Sequence, residues 1–376
     1  DEAYARVPAQ NLMDQFGRVE KGACLALKAM ALWIAATPLY NGSTLKGDTR
    51  NYASVYQSYD PARWDAAAAA AKAVMDFEAE GQKRYSLYQG SPKSQTTDSG
   101  GTDQSNGAVY SRLWELFHRT MNDAKKAEWI FFHLHCKTVG YHNDMYPPSA
   151  QGQAREVPVQ DQVDEYEVIG PDGYGYPIYA LKQNHKALYG SLISEEDMAK
   201  AYDDGNPYVN RDPRFYRDII YHGSMFKGKW INTATGADAI NAANSTSTGY
   251  FTRKYFDGYY TKGMSGNWNF DAPLIRLATI YLVYAEAVTR SKGATPEVYN
   301  LMNELRARSF MAPIPPAAQT NKELLLDYIL RDQDNQNIAS AMSLSPSTVK
   351  VHVHNILQKT GHTNRQELIQ DFWKTV

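Results

Sequence analysis

The run PLIRLATIYLVYAEAVTRSKGATPEVYNLMNELRARS, residues 273–309, decides the architecture. Leu274, Leu277, Tyr281, Ala285 and Val288 recur at three- and four-residue spacing, so they share one face of a helix predicted over 271–290. The remaining faces carry few charges, which describes a helix buried between neighbours. Pro296 opens the next helix, because a proline at the first helical position gives up no backbone hydrogen bond.

Working towards the N-terminus, residues 18–37 (RVEKGACLALKAMALWIAAT) are apolar almost all round and stop at Pro38, a second buried helix. Asp60-Pro61 reads as an N-cap followed by a first-turn proline, and the helix it starts runs through Trp64 and a row of alanines to Phe77. Alanine on a helix face lets a neighbouring helix approach closely. Residues 90–107 (GSPKSQTTDSGGTDQSNG) are a polar, glycine-rich loop, and helical pattern returns over 123–139. The segment 141–179, with its PDGYGYPIY turn, is irregular and punctuated by proline. The fold class expected is therefore mainly α, with long decorated loops and little strand.

Composition narrows the function classes. A chain of 376 residues can bury a sizeable core and suggests two or three compact units. Its formal net charge of -2 gives no global attraction to nucleic acid. Only Cys24 and Cys136 occur, too few for a disulfide framework or a paired-cysteine zinc site. The longest apolar run, 29–36, falls far short of the ~20 residues that span a bilayer. No leader peptide precedes Asp1, an absence that maturation also produces. Tyrosine is the unusual number: 27 residues against 12 phenylalanines. Its flat apolar face and polar tip suit cores, half-wet surfaces and sugar platforms, and most of these tyrosines read as structural. No nucleophile motif, phosphate-binding glycine loop or histidine cluster appears, so no catalytic residue, metal ligand or cofactor is assigned.

The C-terminal stretch 337–364, NIASAMSLSPSTVKVHVHNILQKTGHTN, follows a different plan. Ile338, Ala339 and Met342 make one stripe of a short helix, residues 343–345 turn, and Ser345 or Ser347 caps a second helix that buries Val349, Val353 and Ile356. Lys350, Val351, His354 and Asn355 then face outward, the mixture of cation, apolar group and hydrogen-bonding groups that base-edge and phosphate readout needs. Acidic residues Asp332, Asp334, Glu367 and Asp371 nearly cancel Arg331, Lys350, Lys359, Arg365 and Lys374, so affinity for duplex DNA should be weak unless the unit dimerises.

Two resemblances follow from these residues. Ser345, Thr348, Val349, Lys350, His352, Ile356 and Lys359 stand in the hallmark run of the LuxR/FixJ/NarL-type helix-turn-helix domain, which this segment resembles over 320–376. That resemblance implies Lys350, Val351 and His354 near base edges, Thr348 and Lys359 near phosphates, Arg365 at the start of the closing helix, and KELLLDYILRDQDNQ as the first helix and following loop. Upstream, KGACLALKAMALWIAATPLYNG (21–42), QDQVDEYEV (160–168), NPYVNRDPRFYRDIIYHGS (206–224) and the 273–309 run together resemble the SusD/RagB family over residues 1–316. The resemblance implies a tetratricopeptide-type helical scaffold whose loops bind glycan without catalysis. It further implies a TonB-dependent transporter as partner and the outer membrane as location. Relative to that family the chain starts late, so part of the usual ligand surface is expected to be missing and oligosaccharide binding to be weak or absent.

The join is placed in a proline-rich linker at 313–320, and the two parts are expected to unfold independently. A glycan receptor outside the cell and a DNA reader inside it do not serve together. The alternatives are a cytoplasmic transcription regulator with the first part as sensor, or an artificial or misassembled fusion. Trp230 and Trp268 in the loops KGKW and SGNWNF, with Tyr174 and Tyr176 between glycines, are the sugar-stacking candidates. Asp212 and Arg214 read as a structural ion pair in a turn. Asp161, Asp164, Glu165 and Glu167 form an acidic cluster that suits calcium chemically but reads first as a solvated turn.

Overall fold

The computed structural model describes residues 1–12, 15, 17–38, 40–42, 56, 58–89, 127–137, 144–178, 186–253 and 269–333. Within them the helices are α1 (Glu2–Arg6), α2 (Lys21–Ala36), α3 (Ala62–Met75), α4 (Gln160–Asp164), α5 (Lys186–Tyr189), α6 (Glu195–Ala201), α7 (Pro213–Asp218), α8 (Leu277–Lys292), α9 (Pro296–Ala307) and α10 (Lys322–Asp332). Helix α3 starts one residue later than predicted, with Pro61 at the cap position and the Asp60 carboxylate before it accepting from the Ala62 amide at 3.0 Å. Thr295 caps α9 with Pro296 in its first turn.

The scaffold is built on α3 and α8. Helix α3 packs against both α2 and α8 through its alanines, with Ala67 and Ala71 fully buried. Leu277, Tyr281, Ala285 and Val288 of α8 are all buried, as the spacing requires. Helix α2 departs from expectation on one side: Ala26, Met30 and Trp33 face the core, but Leu27 is 61 % exposed. Carboxylates tie the helices together inside this core. Glu286 of α8 accepts from Trp33 Nε1 at 2.7 Å, Arg290 Nε at 2.7 Å and Gln333 Nε2 at 3.1 Å. Each donor comes from a different turn or element, so the buried charge is compensated only when α2, α8 and the end of α10 are assembled.

Two stretches predicted as helix are strand. Trp129–Lys137 pairs antiparallel with Asn269–Arg276, running from Asn269 opposite Lys137 to Arg276 opposite Trp129. The sequence WIFFHLH is aromatic-rich and fits a pleated surface better than a helix. On the partner strand Pro273 cannot donate, and register shifts flank it. Helix α8 therefore starts only after Arg276, and Leu274 lies on the strand, outside the helical stripe assigned to it. A buried carboxylate holds this junction: Glu128 accepts from Arg276 Nη1 at 3.0 Å, Arg308 Nη1 at 2.6 Å and the Tyr88 amide at 2.7 Å.

The proline-rich stretch 313–320 is packed and does not act as a linker. Ile314 and Ala318 are fully buried, and the Ile314 backbone is held by Tyr299 Oη on its carbonyl and Asn303 Oδ1 on its amide, both at 2.9 Å. Beyond it α10 buries Leu324, Leu325, Leu326, Tyr328 and Ile329 against α8, α5 and the turn Pro316–Gln319. The run KELLLDYILRD thus lies inside the same core as the helices before it. Burial of an apolar stripe outweighs the weak local signal of prolines, which here shape a turn instead of separating two bodies.

Candidate functional site

Of the sugar-stacking candidates among the described residues, Trp230 is the one presented to solvent. It lies on the hairpin Met225–Phe226 with Lys229–Trp230, whose turn needs positive φ at Lys227 (50°) and Gly228 (72°). The hairpin is fixed from behind. Phe226 is fully buried in a cluster with Met145, Tyr146, Ile220, Ile231 and Phe251, and its ring meets Tyr146 edge-on at 5.6 Å. Lys227 Nζ sits 4.7 Å above the Tyr146 ring, and Lys229 Nζ donates to Ser149 O at 2.9 Å. The Ser224 and Ile231 backbones close the ladder, with Ile231 N donating to Ser224 O at 2.9 Å. On this base Trp230 is 69 % exposed, an apolar plate carried on a braced backbone.

The loop after Trp230 is equally well held. Asn232 Oδ1 accepts from the Ala234 and Thr235 amides at 3.0 Å, and the Ser149 amide donates to Asp238 Oδ1 at 2.8 Å. Thr246 Oγ1 accepts from Thr248 and Gly249, and Thr248 Oγ1 donates to Pro158 O at 2.6 Å. Exposed amides and hydroxyls of this loop lie beside the indole in sequence, the polar complement that a sugar's hydroxyls require.

The other candidates fare differently. Tyr176 is fully buried, its ring edge-on to Tyr189 at 6.2 Å and its hydroxyl donating to Asp172 at 2.6 Å. It has no open face and is a core residue, a correction to its reading as a sugar platform. Tyr174 is half-buried against the scaffold, its amide on Asp172 Oδ1 at 3.1 Å. Trp268 lies outside the described residues, as do Thr348, Lys350, Val351, His354, Asn355, Lys359 and Arg365.

The acidic cluster also needs correcting. Glu167 is buried and pairs with Arg306 through Nη1 at 3.0 Å and Nη2 at 2.5 Å. Burial pushes the Glu167 carboxyl up, against the pull of the Arg306 guanidinium, while the same carboxylate and Asp332 hold Arg306 firmly charged. Asp332 lies 3.5 Å from Arg306 Nη1 and 3.0 Å from Arg214 Nη2, and Arg214 in turn chelates Asp212 with Nη2 at 2.8 Å. Asp212 caps α7 through the Arg214 amide at 2.8 Å, so the RDPR turn is the ion pair and turn that its sequence suggests. Arg331 takes Glu165 at 3.1 Å and Gln160 takes Asp164 at 2.7 Å. Among the described residues no group of three His, Cys, Asp or Glu side chains is placed to hold a metal ion. The chain of charges Glu167, Arg306, Asp332, Arg214 and Asp212 joins four separate segments of the sequence, and single-residue reasoning missed it. Its signal was the coincidence of RARS, RDPR and an acidic run in one chain, none of which names its partner.

A helical scaffold carrying long, internally bonded loops with an aromatic plate defines the class: a tetratricopeptide-like binding fold. The model of the SusD family matches residues 71–334, and the chain belongs to that family. The model of bacterial regulatory proteins of the luxR family matches residues 320–371. Neither is a family of enzymes. Among solved structures, selenomethionine BT4246 is 19 % identical with a TM-score of 0.63, over 89 % of this chain and 62 % of that one. A SusD-like carbohydrate binding protein from Bacteroides fragilis NCTC 9343 (BF0978) is 17 % identical with a TM-score of 0.59, over 90 % and 54 %. A SusD-like protein from the same strain (BF3747) is 19 % identical with a TM-score of 0.54, over 90 % and 56 %. The chain therefore spans between half and two thirds of the length of these structures. No curated protein matches it.

Proposed function

We propose that the protein is a non-catalytic glycan-binding component of an outer-membrane nutrient-uptake system, working with a TonB-dependent transporter. The observation that carries this reading is an indole plate on a braced hairpin within a SusD-family fold. One solved relative is itself described as a carbohydrate binding protein, which supports the ligand class. Trp230 stacks on a pyranose face and the amides and hydroxyls of 232–249 meet its hydroxyls; Tyr174 and Trp268 are further stacking residues of the same reading. Affinity electrophoresis against a panel of soluble glycans tests it. Retardation on at least one glycan, abolished by Trp230→Ala with an unchanged melting temperature, is expected; indifference of every glycan to that substitution would sink the assignment to Trp230.

A second reading rests on the luxR-family match over 320–371: a cytoplasmic transcription regulator with the N-terminal part as sensor. Here Lys350, Val351, His354 and Asn355 read bases, and Thr348, Lys359 and Arg365 hold phosphates of duplex DNA, dimerisation compensating a nearly neutral module. Fluorescence anisotropy with duplex DNA over a salt series separates the readings, since binding through phosphates weakens steeply with salt.

A further inference from the structure

Among the described tyrosines only two are exposed, Tyr56 at 47 % and Tyr59 at 52 %, and they stand three residues apart at the corner between α2 and α3. Exposed apolar residues scattered singly are ordinary, whereas an adjacent, braced pair marks a contact surface. Asn41 ties this corner together from a buried position. Its Nδ2 donates to Ala36 O at 3.3 Å and to Asp60 O at 3.0 Å, and its Oδ1 accepts from the Asp60 amide at 2.8 Å and from Arg63 Nη1 at 2.7 Å. One side-chain amide, with all four of its hydrogen bonds made, thus joins the end of α2 to the start of α3. Tyr56 is held on both sides of its backbone, its amide donating to Tyr40 O at 2.9 Å and its carbonyl accepting from the Gly42 amide at 3.0 Å. A Cβ on Gly42, whose φ is 71°, would lie 2.4 Å from the Tyr59 nitrogen, so the two segments meet at a distance only glycine allows. Asn41 also aims the Arg63 guanidinium, whose carbon lies 3.6 Å from the centre of the Tyr56 ring. This stacked cation backs one face of the ring and fixes its place.

We propose that Tyr56 and Tyr59 form a second sugar platform, separate in sequence from Trp230, that takes pyranose units of a glycan chain. A pyranose presents an apolar C–H face ringed by hydroxyls. It therefore fits a flat apolar plate bordered by planar polar groups, and Asp60 and Arg63 supply a carboxylate and a guanidinium beside the rings, 3.6 Å apart. A protein partner fits less well, because specific protein interfaces bury ~800 Å² on each side and two half-open rings offer roughly a quarter of that. The ligand class rests on the glycan reading proposed above; the platform rests on the geometry of the corner.

Affinity electrophoresis of the full chain in native gels carrying soluble starch, laminarin, arabinoxylan, dextran or pectin tests this. The unchanged chain is compared with Tyr56→Ala plus Tyr59→Ala, with Tyr56→Phe plus Tyr59→Phe, and with Trp230→Ala, melting temperatures being recorded alongside. In a gel that retards the unchanged chain, the alanine pair is expected to weaken binding by about fivefold or more at an unchanged melting temperature. The phenylalanine pair keeps the ring faces and should bind within about twofold of the unchanged chain. If the alanine pair lowers the melting temperature, Tyr59→Ala alone decides, since it leaves the Arg63 stack intact: binding about twofold or more weaker is expected, and unchanged binding overturns the proposal. Loss with the alanine pair but not with Trp230→Ala supports the platform and removes Trp230 from the site. The converse overturns the platform and leaves the Trp230 reading standing, while loss with each substitution supports both plates. A phenylalanine pair as weak as the alanine pair would overturn stacking at this corner, and retardation in none of the five gels would overturn the platform together with the glycan reading.

Discussion

At the scale of the residue, Gly175 is where loop and scaffold meet most tightly. A Cβ there would lie 2.0 Å from Glu167 Oε2 and 2.9 Å from Arg306 Nη2, so only glycine lets the strand carry its carbonyl to Tyr328 while the ion pair closes behind it. Gly175→Ala should therefore force the pair apart and destabilise the fold by roughly 1–3 kcal/mol, the usual range for overpacking. Urea denaturation reads this directly. An unchanged midpoint would mean that the pair adjusts freely and does not lock the turn. The glycine was visible in the sequence only as one of several in PDGYGYP. What makes it necessary is the Glu167 carboxylate pressed against it, which is paired with Arg306 far along the chain, and no local pattern encodes that pairing.

At the scale of the element, helices with a strong one-sided stripe or a clear cap were legible. Leu277, Tyr281, Ala285 and Val288 placed α8, and Asp60-Pro61 and Pro296 placed the starts of α3 and α9. The misreadings have one physical cause, the dominance of tertiary pairing over local propensity. Residues 129–137 become strand because 269–276 lie opposite them, and 313–320 pack because α10 pulls its own stripe into the same core. Exposure was legible only in part: Trp230, from its glycine-flanked loop, does stand in solvent, whereas Tyr176, in an equally glycine-rich loop, points inward to Tyr189. Two element-scale consequences follow from the packed junction. Limited proteolysis of the folded chain should spare 313–320, because Ile314 is held on both its amide and its carbonyl and Arg306 Nε donates to Ala312 O at 2.8 Å. Early cleavage there, ahead of cooperative unfolding, would contradict the docking of α10. Leu325→Ala should cost about 2–5 kcal/mol, as deletion of a fully buried leucine does, and calorimetry should show the loss in the main transition of the body.

At the scale of the whole molecule, the abundance of tyrosine becomes a property of the core. Tyr85, Tyr176, Tyr189, Tyr281, Tyr284, Tyr299 and Tyr328 all belong to the main buried cluster. Burial first, and then the hydrogen bond and charge of Glu297, push the Tyr284 hydroxyl up to about 12. Burial likewise raises Tyr85, Tyr176, Tyr281 and Tyr328, with Asp172 adding to the rise at Tyr176. In the unfolded chain these phenols return to their ordinary value near ~10. A raised folded value means that the native state holds its protons longer than the unfolded state. The stability these groups contribute is therefore complete below about pH 10 and falls as pH climbs from there towards the folded values, by up to ~1.4 kcal/mol per group for each pH unit. Several such groups acting together amount to much of the marginal stability of a domain, so unfolding should arrive as a cooperative alkaline transition. Tyrosinate absorbance followed alongside helical circular dichroism checks this. The expected record has two waves, an early one with helix content intact and a later one in which ionisation and loss of helix coincide. A single wave near the ordinary value that left the helical signal unchanged would show that these phenols are reached by solvent without opening the core, and the tyrosine-lined scaffold would have to be abandoned as the source of its stability.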